Sequence, residues 1–131
     1  MDDFPIRHPS SLAQRALAAR FGLPWSDDMQ DWEWEVADVD RFDAFLETFR
    51  SSALSDDERF SLMEMLLQCI EEIEPPSSQE EAWRAVESFL MSRPELHRTT
   101  IAYWARLDES YPIALFRISP RMRQVWRSID I

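Results

Sequence analysis

Residues 55–74, SDDERFSLMEMLLQCIEEIE, carry the clearest helix signals in the chain and predict the centre of its fold. Ser55 and Glu58 have the spacing of a capping box, in which each side chain bonds the other residue's backbone N–H. Apolar residues cover well over half of the helical circumference, so several neighbours must contact this helix. Its polar stripe is narrow and consists of Ser61, Glu64, Gln68, Glu71 and Glu72, and the three glutamates are predicted to face water.

The helix that precedes this centre is bracketed by two serines and by the only glycine of the sequence. Ser10 or Ser11 can cap its start, and Gly22 suits the left-handed position just past its end. Helical spacing predicts an apolar packing face made of Leu12, Ala16, Leu17 and Phe21.

Further helices are indicated by apolar residues at helical spacing and by the residues at their ends. One starts near Asp38 or Asp40 and ends near Arg50. The others start at a second capping-box pattern (residues 78–81), at Pro94 and at Ser119-Pro120. These signals predict a single all-α domain over residues 1–131, a bundle of five or six helices around the helix at 55–74.

Two short segments leave room for a minor two-stranded β ribbon. Residues 32–36, WEWEV, alternate apolar and acidic side chains with a period of two, which is typical of a strand. They could equally be an extended lead-in to the next helix. Residues 113–118, IALFRI, are an ambiguous strand or helix and would be the natural pairing partner.

Charge and composition exclude several kinds of protein. The net charge is −11, and residues 27–81 hold 18 acids against three arginines. Such a surface repels nucleic acid and anionic lipid and attracts a basic protein. The near absence of glycine argues against phosphate-binding loops. The single cysteine fits a reducing compartment, and no apolar run is long enough for a membrane span, so we expect a cytoplasmic protein.

The candidate site is the stretch that combines tryptophans with clustered carboxylates. Period-two alternation would place Trp32 and Trp34 on one face, with Glu33 and Glu35 on the other. Either both rings cover the core while the acids face water, or one ring stays exposed as an anchor for a partner. The predicted protein-binding residues are Trp25, Asp27, Asp28, Asp31, Trp32, Glu33, Trp34, Glu35 and Asp38.

Catalytic and metal-binding chemistry has weaker support. Asp27, Asp28 and Asp31 fit an Asp-Asp-x-x-Asp pattern, and carboxylates one helical turn apart could hold a magnesium ion, but the motif is short and common in acidic chains. Cys69 and His97 lie among apolar residues, which favours packing over catalysis. We therefore predict no cofactor and no catalytic residue.

The hypothesis that follows is a non-enzymatic acidic module that binds a basic protein by electrostatic steering and aromatic anchoring. In charge and size the chain resembles bacterial immunity proteins, which neutralise nuclease toxins. One alternative is a chaperone or adaptor for a secreted or basic client, which would be a dimer, whereas the module could be a monomer or a dimer. The other is a small metal-dependent enzyme that uses Asp27, Asp28 and Asp31.

Overall fold

The computed structural model describes residues 6–109 and 115–129, and these residues form seven α-helices and no strand. The all-α prediction is confirmed. No helix of the described residues is long and apolar enough to cross a bilayer. The helices are α1 (Ser11–Phe21), α2 (Trp32–Glu35), α3 (Phe42–Ser51), α4 (Asp56–Glu72), α5 (Gln79–Ser92), α6 (Pro94–Ala105) and α7 (Ser119–Ile129).

The chain divides into two compact units. The acidic unit, residues 9–73, holds 15 acids and five arginines, a formal net charge of −10. The second unit, residues 1–8 with 74–131, holds ten acids and nine arginines, a net charge of −1. Almost all of the excess negative charge therefore belongs to one unit. The assignment of the whole chain to one domain stays a prediction.

The acidic unit is built around α4, which contacts α1, α2 and α3. The predicted capping box forms: the Ser55 hydroxyl accepts from the Glu58 N–H at 3.1 Å, and the Glu58 carboxylate accepts from the Ser55 N–H at 2.8 Å. Every residue from 60 to 67 is buried, as are Cys69 and Ile70. The prediction that Glu64 faces water is wrong, because Glu64 lies in the core, as does Ser61 of the same polar stripe.

The first helix has the predicted ends but a rotated packing face. Ser10 caps α1 through the Ala13 N–H, and Gly22 takes the left-handed conformation with φ 67°. The buried residues of α1 are Ala13, Leu17 and Ala18, whereas Leu12 is 77% exposed and Ala16 is also exposed. Spacing predicted an apolar stripe correctly, but tertiary contacts chose a face rotated by about one residue.

Arginines bind the ends of two helices in the acidic unit. The Arg41 guanidinium donates to the carbonyl of Phe21, the last residue of α1, at 2.8 Å. The Arg59 guanidinium donates to the carbonyls of Phe49 and Ser52 at the end of α3, at 3.0 and 3.2 Å. Helix ends leave carbonyls without intrahelical donors, and a cation there also suits the helix dipole.

In the second unit, too, an arginine binds carbonyls at a helix end, here between α6 and α7. Arg106, which follows α6, has the left-handed φ of 52°, uncommon for a residue with a side chain. The Arg123 guanidinium of α7 donates to the carbonyls of Ala105, Arg106 and Glu109 at 2.6–2.7 Å. The buried Ser119 hydroxyl donates to the Trp104 carbonyl at 2.7 Å. The start of α7 is therefore fixed to the end of α6.

Three local predictions for secondary structure need correction. Ser78 does not form a capping box, because it ends a 3₁₀ turn (Pro76–Ser78) and makes no side-chain cap bond. Residues 32–35 form a helical turn, not a strand. Of the segment 113–118, residues 113 and 114 lie outside the described residues, and 115–118 form a bend and a turn. The proposed ribbon is therefore wrong for the described residues.

We predict that Arg123→Lys lowers the free energy of unfolding by about 1–3 kcal/mol. Lysine carries one ammonium group and cannot match the planar fork that reaches three carbonyls, and bonds to charged groups contribute about this much. Urea denaturation followed by circular dichroism measures the change. The control is Arg127→Lys on the exposed face of the same helix. Equal stability of the two variants would contradict the structural role of Arg123.

Candidate functional site

The centre of the predicted site is α2, a single helical turn. Trp32 is 0% exposed and Glu33 is 5% exposed, whereas Trp34 is half-buried and Glu35 faces solvent. A helical turn places neighbouring residues about 100° apart, so Trp32 and Glu33 both face the core. The expectation that Glu33 faces water is wrong, and neither Trp32 nor Glu33 is accessible to a partner in this structure.

The buried Glu33 carboxylate joins three helices of the acidic unit. Its Oε2 atom accepts hydrogen bonds from the Ser61 hydroxyl of α4 and from the Gln14 side-chain amide of α1, both at 2.8 Å. The Gln14 amide oxygen in turn accepts from the Trp25 indole N–H at 3.0 Å. A buried carboxylate is stable only when it is hydrogen-bonded, and here both donors are neutral groups.

Sequence reasoning missed Gln14 and Ser61 as partners of the site. The sequence did contain one signal that would have led to Ser61, namely the narrowness of the polar stripe on α4. A helix buried almost all round carries some polar residues into the core, where they need hydrogen-bond partners. Nothing in the sequence alone assigned Glu33 as that partner, because the two residues are 28 positions apart.

All three tryptophans of the stretch donate their indole N–H to the protein. Trp32 donates to the Pro24 carbonyl at 2.7 Å, and Trp34 donates to the Glu64 carboxylate at 3.2 Å. Trp25 and Trp34 remain partly exposed. The Arg15 guanidinium lies 4.3 Å from the centre of the Trp25 ring, a cation–π contact. Two of the three rings can therefore still contact a partner, at their exposed parts.

The carboxylates that face solvent form the candidate surface. Asp27 and Asp28 lie in the turn before α2, and Glu35 lies at the end of that helix. The Glu35 carboxylate accepts from the Asp31 N–H at 3.2 Å, and the Asp38 carboxylate accepts from the Asp40 N–H at 3.0 Å. None of these side chains forms an ion pair with a residue that the structure describes. The members of this acidic surface are Asp27, Asp28, Asp31, Glu35 and Asp38.

The arginines of the acidic unit explain why this surface keeps its charge. Arg41 and Arg59 donate to backbone carbonyls at helix ends, as described above. Arg15 lies over the Trp25 ring, and Arg50 is 3.7 Å from the Glu47 carboxylate on α3. Four of the five guanidinium groups of the unit thus bind carbonyls, a ring or one acid outside the acidic surface. The negative field of that surface is not cancelled by ion pairs within the unit.

The structure does not supply the geometry expected for a metal site at Asp27, Asp28 and Asp31. The pattern predicted carboxylates one helical turn apart, but residues 27 and 28 lie in a turn and residue 31 is the cap that precedes α2. Across residues 6–109 and 115–129, no three His, Cys, Asp or Glu side chains are grouped so that they could hold a metal ion.

His97 and Cys69, the two other residues weighed for catalysis, are both buried. His97 is 1% exposed on α6, in agreement with a packed histidine. Cys69 is a free, buried thiol on α4, and burial raises its pKa to about 12. A thiol with that pKa holds almost no thiolate at neutral pH, and the thiolate is the reactive form. Cys69 is therefore a packing residue.

The chain matched no protein-family model, no curated protein and no solved structure.

We predict that Glu33→Ala lowers the free energy of unfolding by about 1–3 kcal/mol, because it leaves the buried Ser61 hydroxyl and the part-buried Gln14 amide without their acceptor. The matched control is Glu35→Ala, a neighbouring but exposed glutamate, for which we expect a change within about 0.5 kcal/mol. Thermal and urea denaturation measure both variants. If the two substitutions cost the same, the Glu33 hydrogen bonds do not stabilise the fold.

We predict that Cys69 does not react with a disulfide reagent such as Ellman's reagent at pH 8 while the protein is folded. Its raised pKa leaves little thiolate, and its burial excludes the reagent. Addition of denaturant restores the rate of an ordinary thiol, and that rate is the control. Rapid labelling of the native protein would contradict the buried position of Cys69.

Proposed function

We propose that the chain is a non-enzymatic, cytoplasmic module whose acidic surface binds a basic protein, in the manner of a bacterial immunity or antitoxin protein. The observation that carries this proposal is a set of exposed carboxylates that form no ion pair with any described residue, on a unit of net charge −10. The single, buried, free cysteine fits the proposed reducing compartment.

The proposed mechanism begins with long-range attraction. Charges on a protein surface act over about 10 Å at moderate salt, so several exposed carboxylates can orient a basic partner before contact. Because the second unit is nearly neutral, the negative electrostatic field arises mainly from the acidic unit. A partner with an arginine- or lysine-rich site would therefore meet the acidic unit first.

Aromatic contact follows the electrostatic encounter in this proposal. Trp25 and Trp34 are the candidate anchors, because each exposes part of its ring while its N–H is already bonded within the protein. Such rings are held in place before binding, so little side-chain entropy is lost on contact. Trp32 and Glu33 are buried, so in this proposal they hold α2 in place and do not contact the partner. The proposed partner-contacting residues are thus fewer than the nine that the sequence predicted, because Trp32 and Glu33 are excluded.

The test uses an oligo-arginine peptide with a fluorescent label as the basic probe. The site variant combines Asp27→Asn, Asp28→Asn and Asp31→Asn. The control variant makes the same change in charge in the second unit by combining Glu81→Gln, Glu87→Gln and Asp108→Asn. We expect the site variant to weaken binding about tenfold, because each exposed charge contributes on the order of 0.5 kcal/mol. Fluorescence anisotropy measures the dissociation constants.

The same titrations between about 0.05 M and about 0.5 M salt complete the test. Electrostatic binding weakens steeply over this range because the screening length shortens. An affinity that is independent of salt would contradict the proposed mechanism. Equal weakening by the site and control variants would show that only net charge matters, and would contradict a localised binding surface.

A further inference from the structure

The Trp25 ring is a partly exposed aromatic surface that already holds a cation of the same chain. The Arg15 guanidinium lies 4.3 Å from the ring centre. Arg15 is an exposed residue of α1, so its side chain covers the ring from the solvent side. The negative π face of tryptophan attracts a cation in this position. The contact shows, within the free protein, which chemical group the ring accepts.

Hydrogen bonds that do not involve Arg15 fix the orientation of the ring. The Trp25 indole N–H donates to the Gln14 amide oxygen at 3.0 Å, and the Gln14 amide nitrogen donates to the Glu33 carboxylate at 2.8 Å. Glu33 is buried. The ring therefore keeps its position when the Arg15 guanidinium moves away, and the face that Arg15 covers is formed before any partner binds.

Two carboxylates of the acidic surface follow this ring within three positions of the sequence. Asp27 and Asp28 are the middle residues of a turn that the Met29 N–H closes by donating to the Ser26 carbonyl at 3.2 Å. Both aspartates are exposed. Arg15 forms no ion pair with either of them, and the structure describes all three residues. The guanidinium of the chain itself thus uses the ring and leaves both carboxylates to an incoming cation.

We propose that the Trp25 ring binds an arginine side chain of the basic partner and that Arg15 occupies this position in the free protein. This inference rests on the proposed function and deepens it. The guanidinium of the partner stacks on the ring in place of Arg15 and is also attracted by Asp27 and Asp28. Arginine suits the ring better than lysine, because its planar and weakly hydrated head stacks on aromatic faces. Arg15 is therefore an internal competitor of the partner.

The test compares two arginine substitutions on the same helix and uses the labelled oligo-arginine peptide as the probe. Arg15→Ala removes the competitor. The matched control is Arg20→Ala, because Arg20 is also exposed on α1 but makes no ring contact with a described residue. Each variant loses one positive charge, so each reduces repulsion of the peptide equally. We expect Arg15→Ala to raise the affinity about threefold more than Arg20→Ala does, because the ring no longer has to be vacated.

A third substitution tests whether this difference depends on the ring. Trp25→Leu keeps an apolar side chain and removes the π face. With Trp25→Leu present, we expect Arg15→Ala and Arg20→Ala to raise the affinity equally. Circular dichroism verifies that the Trp25→Leu protein is folded. If it is not folded, the comparison of the two arginine variants in the unaltered background decides the question alone.

An oligo-lysine peptide of the same length tests the choice of arginine. We expect a smaller difference between Arg15→Ala and Arg20→Ala with this peptide, because an ammonium group stacks less well on an aromatic ring. A difference as large as that with oligo-arginine would overturn the assignment of an arginine to the ring.

The outcomes separate failure of this inference from failure of the proposed function. Equal gains from Arg15→Ala and Arg20→Ala would show that only net charge matters, so the inference would be wrong while the proposed function stands. Weaker peptide binding by Arg15→Ala would show that Arg15 supports the contact, and would also overturn the inference. If the unaltered protein does not bind the peptide at all, the proposed function fails, and the inference fails with it.

Discussion

The hydrogen bonds to the buried Glu33 carboxylate fix the arrangement on which the rest of the acidic unit depends. They connect α2 to α1 through Gln14 and to α4 through Ser61. A helix of four residues has little stability of its own, so its orientation is set by such tertiary contacts. With Glu33 and Trp32 turned inward, Glu35 must turn outward. The buried Glu33 thereby accounts for the outward position of Glu35, one member of the acidic surface.

Arginine bonds to helix ends are the second recurring feature, and they occur in both units. Arg41, Arg59 and Arg123 bind the ends of α1, α3 and α6. Each guanidinium satisfies carbonyls that have no donor within their helix, and two of the three bond several carbonyls at once. The sequence contains arginine and no lysine. The planar guanidinium of arginine has several N–H donors, which allows one side chain to bond more than one carbonyl at a helix end.

These two features together explain how a strongly acidic chain keeps an exposed negative surface. Carboxylates on a protein surface are usually interspersed with bases that reduce their field. In the acidic unit, Arg41 and Arg59 donate to carbonyls, and the exposed acids from Asp27 to Asp38 form no ion pair with a described residue. Positive groups thus serve the stability of helix ends, while negative groups remain available for long-range attraction.

The sequence by itself determined the helices whose signals are local. The Ser55 capping box, the Gly22 helix end and the broad apolar face of α4 each follow from residues within a few positions of one another. The class of the fold and the acidic character of the candidate surface follow in the same way. Hydrogen bonds and dihedral preferences between near neighbours depend less on the remainder of the chain than burial does, although the same local pattern at Ser78 forms no capping box.

Only the tertiary structure decided which side of each element is buried. Period two in residues 32–36 indicated a strand with Glu33 in water, yet the segment is a helical turn with Glu33 in the core. Spacing placed Leu12 and Ala16 inside, yet Ala13 and Ala18 are buried instead, together with the correctly predicted Leu17. Burial depends on partners that are distant in the sequence, such as Ser61 for Glu33. A local pattern cannot specify those partners, because their contacts form only when the helices pack.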